Sequence, residues 1–323
     1  MTTHNALERR RLLSGGGAAL ALLLGGCSAD GGTVRRLRLA TGVEGGPYNA
    51  FGRALAVAVA ESGQPLRVVP VTTSASVGNL RKLATGEAQL ALAIADVSED
   101  AVLGRGTFAG APVAIAALAR VYVNYTHLAV PAAGPVRTVP DLAGRSVATG
   151  PDGSGVRVVA GRVLRAAGLT GRRAVRERRL SLADSAAGLR AGTVDALCWS
   201  GGVSTPSLTT LARRLPLRFL PLDGYVPALR ATYGPLYSPA TIPVGAYGLD
   251  RPVGTIGVGN YLLARPDVPA SVVRELLPVV FGRRRELLRE VTAGARLEPR
   301  FAISTGSVPL HPGAVAYYRS VYG

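Results

Sequence analysis

Short apolar runs alternate with segments of helical period along most of this chain, and nearly every junction has the same order: strand, loop rich in Gly, Ser, Thr or Asn, then helix. Strands are predicted over 37–41, 66–71, 90–95 and 113–118, and helices over 47–60 and 77–84. Pro47 suits the first position of its helix, and Asp96 is placed to cap the helix after the third strand. A second series follows, with strands over 145–149 and 194–199 and helices over 156–167 and 182–191, stopped by Gly168 and Gly192. Strands alternating with helices across short links predict a mostly parallel α/β sheet in each series.

Residues 125–130 read as a strand leaving the first sheet, and "PAAGPVRTVPDLAG" after it as a boundary. The tail returns to the first pattern, with a strand over 255–264 and helices over 270–289 and 312–320. A discontinuous first domain, 37–127 plus 255–323, is therefore expected, with a second, 128–254, inserted between two crossing strands. At 323 residues and 48% hydrophobic, the chain is long enough to give both a core.

The first 26 residues follow different rules. Glu8-Arg9-Arg10-Arg11 is a short, mainly basic segment, residues 12–24 are apolar, and Leu24-Gly25-Gly26 precedes Cys27. This is the pattern of an export leader, and its 13 apolar residues fall short of the roughly 20 that a bilayer demands. Leu24-Gly25-Gly26-Cys27 matches a bacterial lipobox, in which the cysteine takes a diacylglycerol and becomes the mature N-terminus; the competing reading is a chance cysteine after an ordinary secretory leader. Residues 27–36 then form a lipidated tether, and two acyl chains suffice for stable membrane attachment. Arg9-Arg10-x-Leu12-Leu13 leaves the general and twin-arginine export routes both open. With Cys27 lipidated, Cys198 has no disulfide partner, and its apolar context in "VDALCWSGG" favours a buried, inert thiol.

The formal charge of +17 invites a nucleic-acid reading. Without residues 1–26 there remain 34 basic and 19 acidic residues, or +15, and Lys82 is the only lysine in the chain. The arginines are scattered from Arg35 to Arg319 with no aromatic-interleaved basic motif, so the expectation is a solvated face and no nucleic-acid partner, with some affinity for anionic lipid headgroups. An enzyme is not expected either. Beyond the leader only His127 and His311 remain, without metal-ligand spacing, and Ser154 lacks a G-x-S-x-G elbow.

Open α/β sheets bind ligands beyond the carboxyl ends of their strands. Four loops there, "TGVEGGPYNAFG", "TTSASVGN", "TGPDGSGV" and "WSGGVSTPS", combine glycine with hydroxyl side chains. Each alone is ordinary turn chemistry; together, two per series, they predict an interdomain cleft whose backbone N–H groups receive an anion.

These stretches, with "THLAV", "VPDLAGRSVATGPDGSGVRVVAGRVLRAAGL", "ADSAAGLRAGTVDALCWSGG", "TIPVGAY" and "PLHPGAVAYYR", resemble the TAXI-type solute receptors of TRAP transporters from about Leu37 to the end. The resemblance implies a two-lobed, type II periplasmic-binding-protein-like clamshell with two crossover strands. It implies a monomeric receptor without a cofactor, lipid-anchored at the outer face of the cell membrane, that captures a small organic anion (amino acid, dicarboxylate or oxo acid) and hands it to a TRAP-type permease. Carried over by position, the ligand-contacting residues are Gly45, Gly46, Tyr48, Ser76, Asn79, Ser154, Gly155, Trp199, Gly202 and Thr205, with Gly153 and Pro206 in the same loops. Three positions depart from the family pattern, each by losing a polar group: Ile94, Val156 and the pair Val123-Asn124. They point to a less polar carboxylate than glutamate. A surface lipoprotein that senses a ligand without transport is the alternative that the sequence leaves standing.

Overall fold

Ten strands join in one mixed sheet in the computed structural model, which describes residues 34–291 and 297–323. They are β1 (Arg35–Ala40), β2 (Leu66–Val71), β3 (Leu90–Ile94), β4 (Ala116–Pro131), β5 (Ser146–Ala148), β6 (Arg176–Arg178), β7 (Ala196–Gly201), β8 (Leu217–Phe219), β9 (Tyr237–Ile242) and β10 (Val253–Ala264). The helices are α1 (Pro47–Glu61), α2 (Ser76–Ala84), α3 (Ala95–Val102), α4 (Gly155–Ala166), α5 (Leu182–Ala191), α6 (Pro206–Ala212), α7 (Val226–Tyr233), α8 (Ala270–Gly282), α9 (Arg284–Leu288), α10 (Pro299–Ala302) and α11 (Pro312–Tyr322). The expected leader, Cys27 and most of the tether lie outside the described residues, and β1 begins at Arg35, inside the last residues assigned to that tether.

The strand order is β2-β1-β3-β10-β4-β7-β5-β6, with β8 added to β4 and β9 to β10. The pairs β1/β2, β1/β3, β5/β6 and β5/β7 are parallel, as the alternating pattern predicts, while β4 and β10 run antiparallel to their neighbours. The first residues of β4 pair with β10 and its last with β7 and β8. In the same way β10 meets β9 at its start and β3 at its end. These two strands therefore run through both halves of the sheet, and their mutual register shifts at Asn260/Tyr261 and Leu262/Leu263.

β4 corrects one expectation. The separate strands predicted over 113–118 and 125–130 are one continuous strand of 16 residues. Arg120 and Asn124 interrupt the apolar run, and that interruption marks where the strand passes from one half to the other rather than where it ends.

One face of the first half is sealed by α1, α8 and α11, through Phe51, Leu55, Val273, Leu276 and Tyr318 packed on Leu39, Leu118 and Leu262. Another cluster joins the two series directly, with Val77, Leu80 and Val97 of α2 and α3 sharing a core with Val159 and Val163 of α4. Full burial of each such aliphatic side chain contributes roughly 1.5–3 kcal/mol. Among the described residues, no helix is long and apolar enough to cross a membrane.

Candidate ligand-binding cavity

The carboxyl ends of the parallel strands open into one cavity, because each strand there turns directly into a helix. Gly46, Pro47 and Tyr48 at the start of α1 line it, with Ala75 and Ser76 of α2, Ile94 before α3, Ser154 and Gly155 of α4, and Ser181 and Leu182 of α5. Five helix N-termini thus face one space. Their aligned peptide dipoles make that space electropositive. Among the described residues no Asp, Glu, Lys, Arg or His lines it. The field comes from backbone alone.

The polar side chains of the wall fall into two groups. Some are already engaged: the Tyr48 hydroxyl donates to Asn260 Oδ1 at 2.5 Å and lies 3.3 Å from Ser76 Oγ, which accepts the Ile94 N–H. Burial holds the Tyr48 phenol well above its ordinary pKa, so it stays neutral. Ser154 Oγ caps α4 by accepting the Arg157 N–H and donates to the Pro151 carbonyl. The others are not engaged. Asn124 Oδ1 on β4 and Ser200 Oγ on β7 are buried and have no hydrogen-bond partner, although the Asn124 amide reaches the Ser200 carbonyl at 3.4 Å.

Of the residues carried over from the sequence, Gly46, Tyr48, Ser76, Ser154, Gly155 and Trp199 stand on the wall; Gly45, Asn79, Gly202 and Thr205 do not. These four hold the wall in place. Asn79 donates to the carbonyls of Thr41 and Leu92 and accepts from Thr73 Oγ1, tying the ends of β1 and β3 to the loop before α2. Thr205 Oγ1 accepts the Trp199 indole N–H at 2.9 Å and donates to the Gly202 carbonyl, which fixes the plane of the indole. Gly45 sits in the turn before α1 at φ +72°, a conformation that glycine adopts without penalty.

Of the departures from the family pattern, Ile94, Val156 and Asn124 of the Val123-Asn124 pair are on the wall, and Val123 is not. Most residues that were not singled out, among them Gly42, Val43, Ser74 and Ser200, belong to the four loops. Ser181 and Leu182 come from a fifth. Its preceding strand, β6, is three exposed residues with no apolar pattern, so the one available signal was the Ser181-x-x-Asp184 capping sequence. Ala75, also on the wall, takes φ +79° and ψ −145°, a strained conformation for a residue with a Cβ.

Two sets of contacts close this region between the series. The Val77 and Gly78 N–H groups, at the start of α2, both donate to the Gly153 carbonyl, at 3.0 and 3.1 Å. Asp96, expected as a helix cap, is instead part of a buried network: α3 starts after Ile94 without a side-chain cap, and Asp96 Oδ2 accepts from Tyr237 Oη at 2.6 Å and from Arg162 Nη1 at 3.2 Å. Arg162 also pairs with Asp100 and stacks on the Tyr233 ring at 4.1 Å. Burial pushes the Asp96 carboxyl up and the Arg162 guanidinium opposes that shift.

This arrangement of sheet, crossing strands and helix N-termini is an α/β periplasmic-binding-protein-like fold. Residues 39–321 match the model of the NMT1-like family, and the chain belongs to that family. Among solved structures, XAC2383 from Xanthomonas citri bound to chloride ion is 12% identical, with 88% of this chain and 95% of that chain covered and a TM-score of 0.51. A structure concerning glutathione import by GshT and the cystine importer TcyBC of Streptococcus mutans is 12% identical, with 80% and 94% covered and a TM-score of 0.50. A TctC solute-binding protein from Polaromonas is 16% identical over 89% and 98%, with a TM-score of 0.49.

Proposed function

We propose that the chain is an extracytoplasmic solute receptor of the TAXI type. It captures a small carboxylate and delivers it to a TRAP-type permease, while a diacylglyceryl group on Cys27 keeps it at the outer face of the cell membrane. The observation that carries this reading is the cavity itself: five helix N-termini, drawn from both series, face a space that no Asp, Glu, Lys, Arg or His lines among the described residues. Such a field attracts one anionic group and offers neither a general base nor a metal site, which supports binding without turnover.

In this reading 37–127 plus 255–323 and 128–254 are the two lobes, β4 and β10 connect them, and the ligand favours closure by touching both. The Gly153 carbonyl on α2 and the Arg162–Asp96 pair are the contacts made on closing. Trp199, the chain's single tryptophan, is on the cavity wall and reports occupancy. Titration with a panel of carboxylates is expected to change its emission, and small-angle scattering at saturation is expected to show compaction. A panel that leaves the emission unchanged sinks the carboxylate claim, and an unchanged radius at saturation sinks the closure claim.

A further inference from the structure

The cavity leaves two side chains without partners, and both belong to strands at its floor. Asn124 on β4 is 4% exposed and Ser200 on β7 is 8% exposed, and neither Asn124 Oδ1 nor Ser200 Oγ has a hydrogen bond. They are neighbours, since the Asn124 amide nitrogen is 3.4 Å from the Ser200 carbonyl oxygen. Buried polar atoms of this kind are rare unless something meets them. An amide oxygen accepts only, whereas a serine hydroxyl can donate. A single group that both donates and accepts, a hydroxyl, satisfies the pair.

Resting on the carboxylate reading above, we infer that the ligand is a hydroxylated monocarboxylic acid with an otherwise apolar body, and that Asn124 and Ser200 determine its selection by holding the hydroxyl between them. The rest of the wall fits this class and excludes its charged relatives. An α-ammonium group desolvated here needs an acidic partner, and no Asp or Glu lines the cavity; the nearby Asp96 is taken by Arg162 and Tyr237. A second carboxylate adds another charge to be desolvated, and no Arg, Lys or His lines the cavity to offset that cost. Val43, Ile94, Val156, Leu182 and Trp199 supply apolar surface for the body.

Isothermal titration of the purified protein with α- and β-hydroxyisocaproate, isocaproate, L-leucine, malate and isocaproamide tests this. One of the hydroxy acids is expected to bind at least about tenfold more tightly than isocaproate, because the acid without the hydroxyl leaves two buried groups unpaired. Leucine and malate are expected to bind more weakly than isocaproate. In Asn124→Ala and in Ser200→Ala, the preference for the hydroxy acid is expected to shrink to within about threefold, and a far-ultraviolet circular dichroism spectrum matching that of the parent protein shows that the variants fold.

Equal affinity for isocaproate and both hydroxy acids overturns the inference while the carboxylate reading stands. Tightest binding of leucine or malate does the same. Binding of isocaproamide as tight as that of isocaproate, or binding of none of the acids, removes the carboxylate reading and this inference with it.

Discussion

Arg162 and Asp96, 66 residues apart in the chain and both buried, hold α4 against α3 through a 3.2 Å contact between Nη1 and Oδ2. Removing the guanidinium leaves an acid stranded among apolar side chains and Tyr237. Arg162→Met is expected to lower the unfolding free energy by about 3–5 kcal/mol, the cost typical of breaking a buried pair from one side. Removing Asp96 as well, as Asn, is expected to recover a good part of that. Urea denaturation followed by Trp199 emission measures both, and a loss under about 1 kcal/mol for Arg162→Met contradicts the pairing.

His127 makes folding sensitive to acid. Burial on β4, against the rings of Phe219 and Tyr247, brings its pKa down from 6.5 to about 4. The native state therefore excludes a proton that the unfolded chain accepts. The stability tied to this group is intact above pH 6.5 and is lost as the pH falls toward 4, by roughly 3 kcal/mol in all. His127→Gln is expected to flatten that part of the stability–pH curve. A parallel curve for the two proteins assigns the acid sensitivity elsewhere.

Two glycines of α4 are expected to respond in opposite ways. A Cβ on Gly155 would fall 2.7 Å from Ser76 Oγ and 2.9 Å from Ile94 Cγ2, so Gly155→Ala forces α4 away from α2 and β3 and is expected to cost about 1–3 kcal/mol. A Cβ on Gly161 meets only Arg165 Nη1, at 3.6 Å, and there alanine is expected to add about 0.5–1 kcal/mol by reducing the freedom of the unfolded chain. Thermal or urea unfolding of the two variants side by side gives the comparison, and the same sign for both refutes it.

Cys198 is buried in β7, and burial, reinforced by the charge of Glu177, pushes its thiol up to about 12. In a Cys27→Ser protein, a disulfide reagent at about pH 8 is expected to find no reactive thiol until urea is added, because only the thiolate attacks. Fast labelling of the native protein shows that β7 opens locally.

The boundaries of β2 and α5 stand where their sequences put them, since apolar runs, capping serines and terminal glycines are local signals. The four glycine-rich loops were legible for the same reason. What the sequence hid was long-range. Asp96 has good local grounds to be a helix cap, and only the tertiary fold brings Arg162 and Tyr237 to it. Asn79 belongs to a stretch that reads as ligand-facing, yet in α2 its amide is consumed by three backbone and side-chain partners. The short strands β6, β8 and β9 carry too few apolar residues to show a period.

The two strands shared by both halves of the sheet bear on how the proposed clamshell is sprung. A hinge made of flexible linker has no preferred angle, whereas β4 and β10 stay hydrogen-bonded to each other from Ala116/Ala264 to Tyr125/Gly257. Opening then twists a pleated ribbon, whose resistance grows with angle. Such a ribbon behaves as a leaf spring: the amplitude of the movement belongs to the strands, and insertions in the surface loops leave it unchanged.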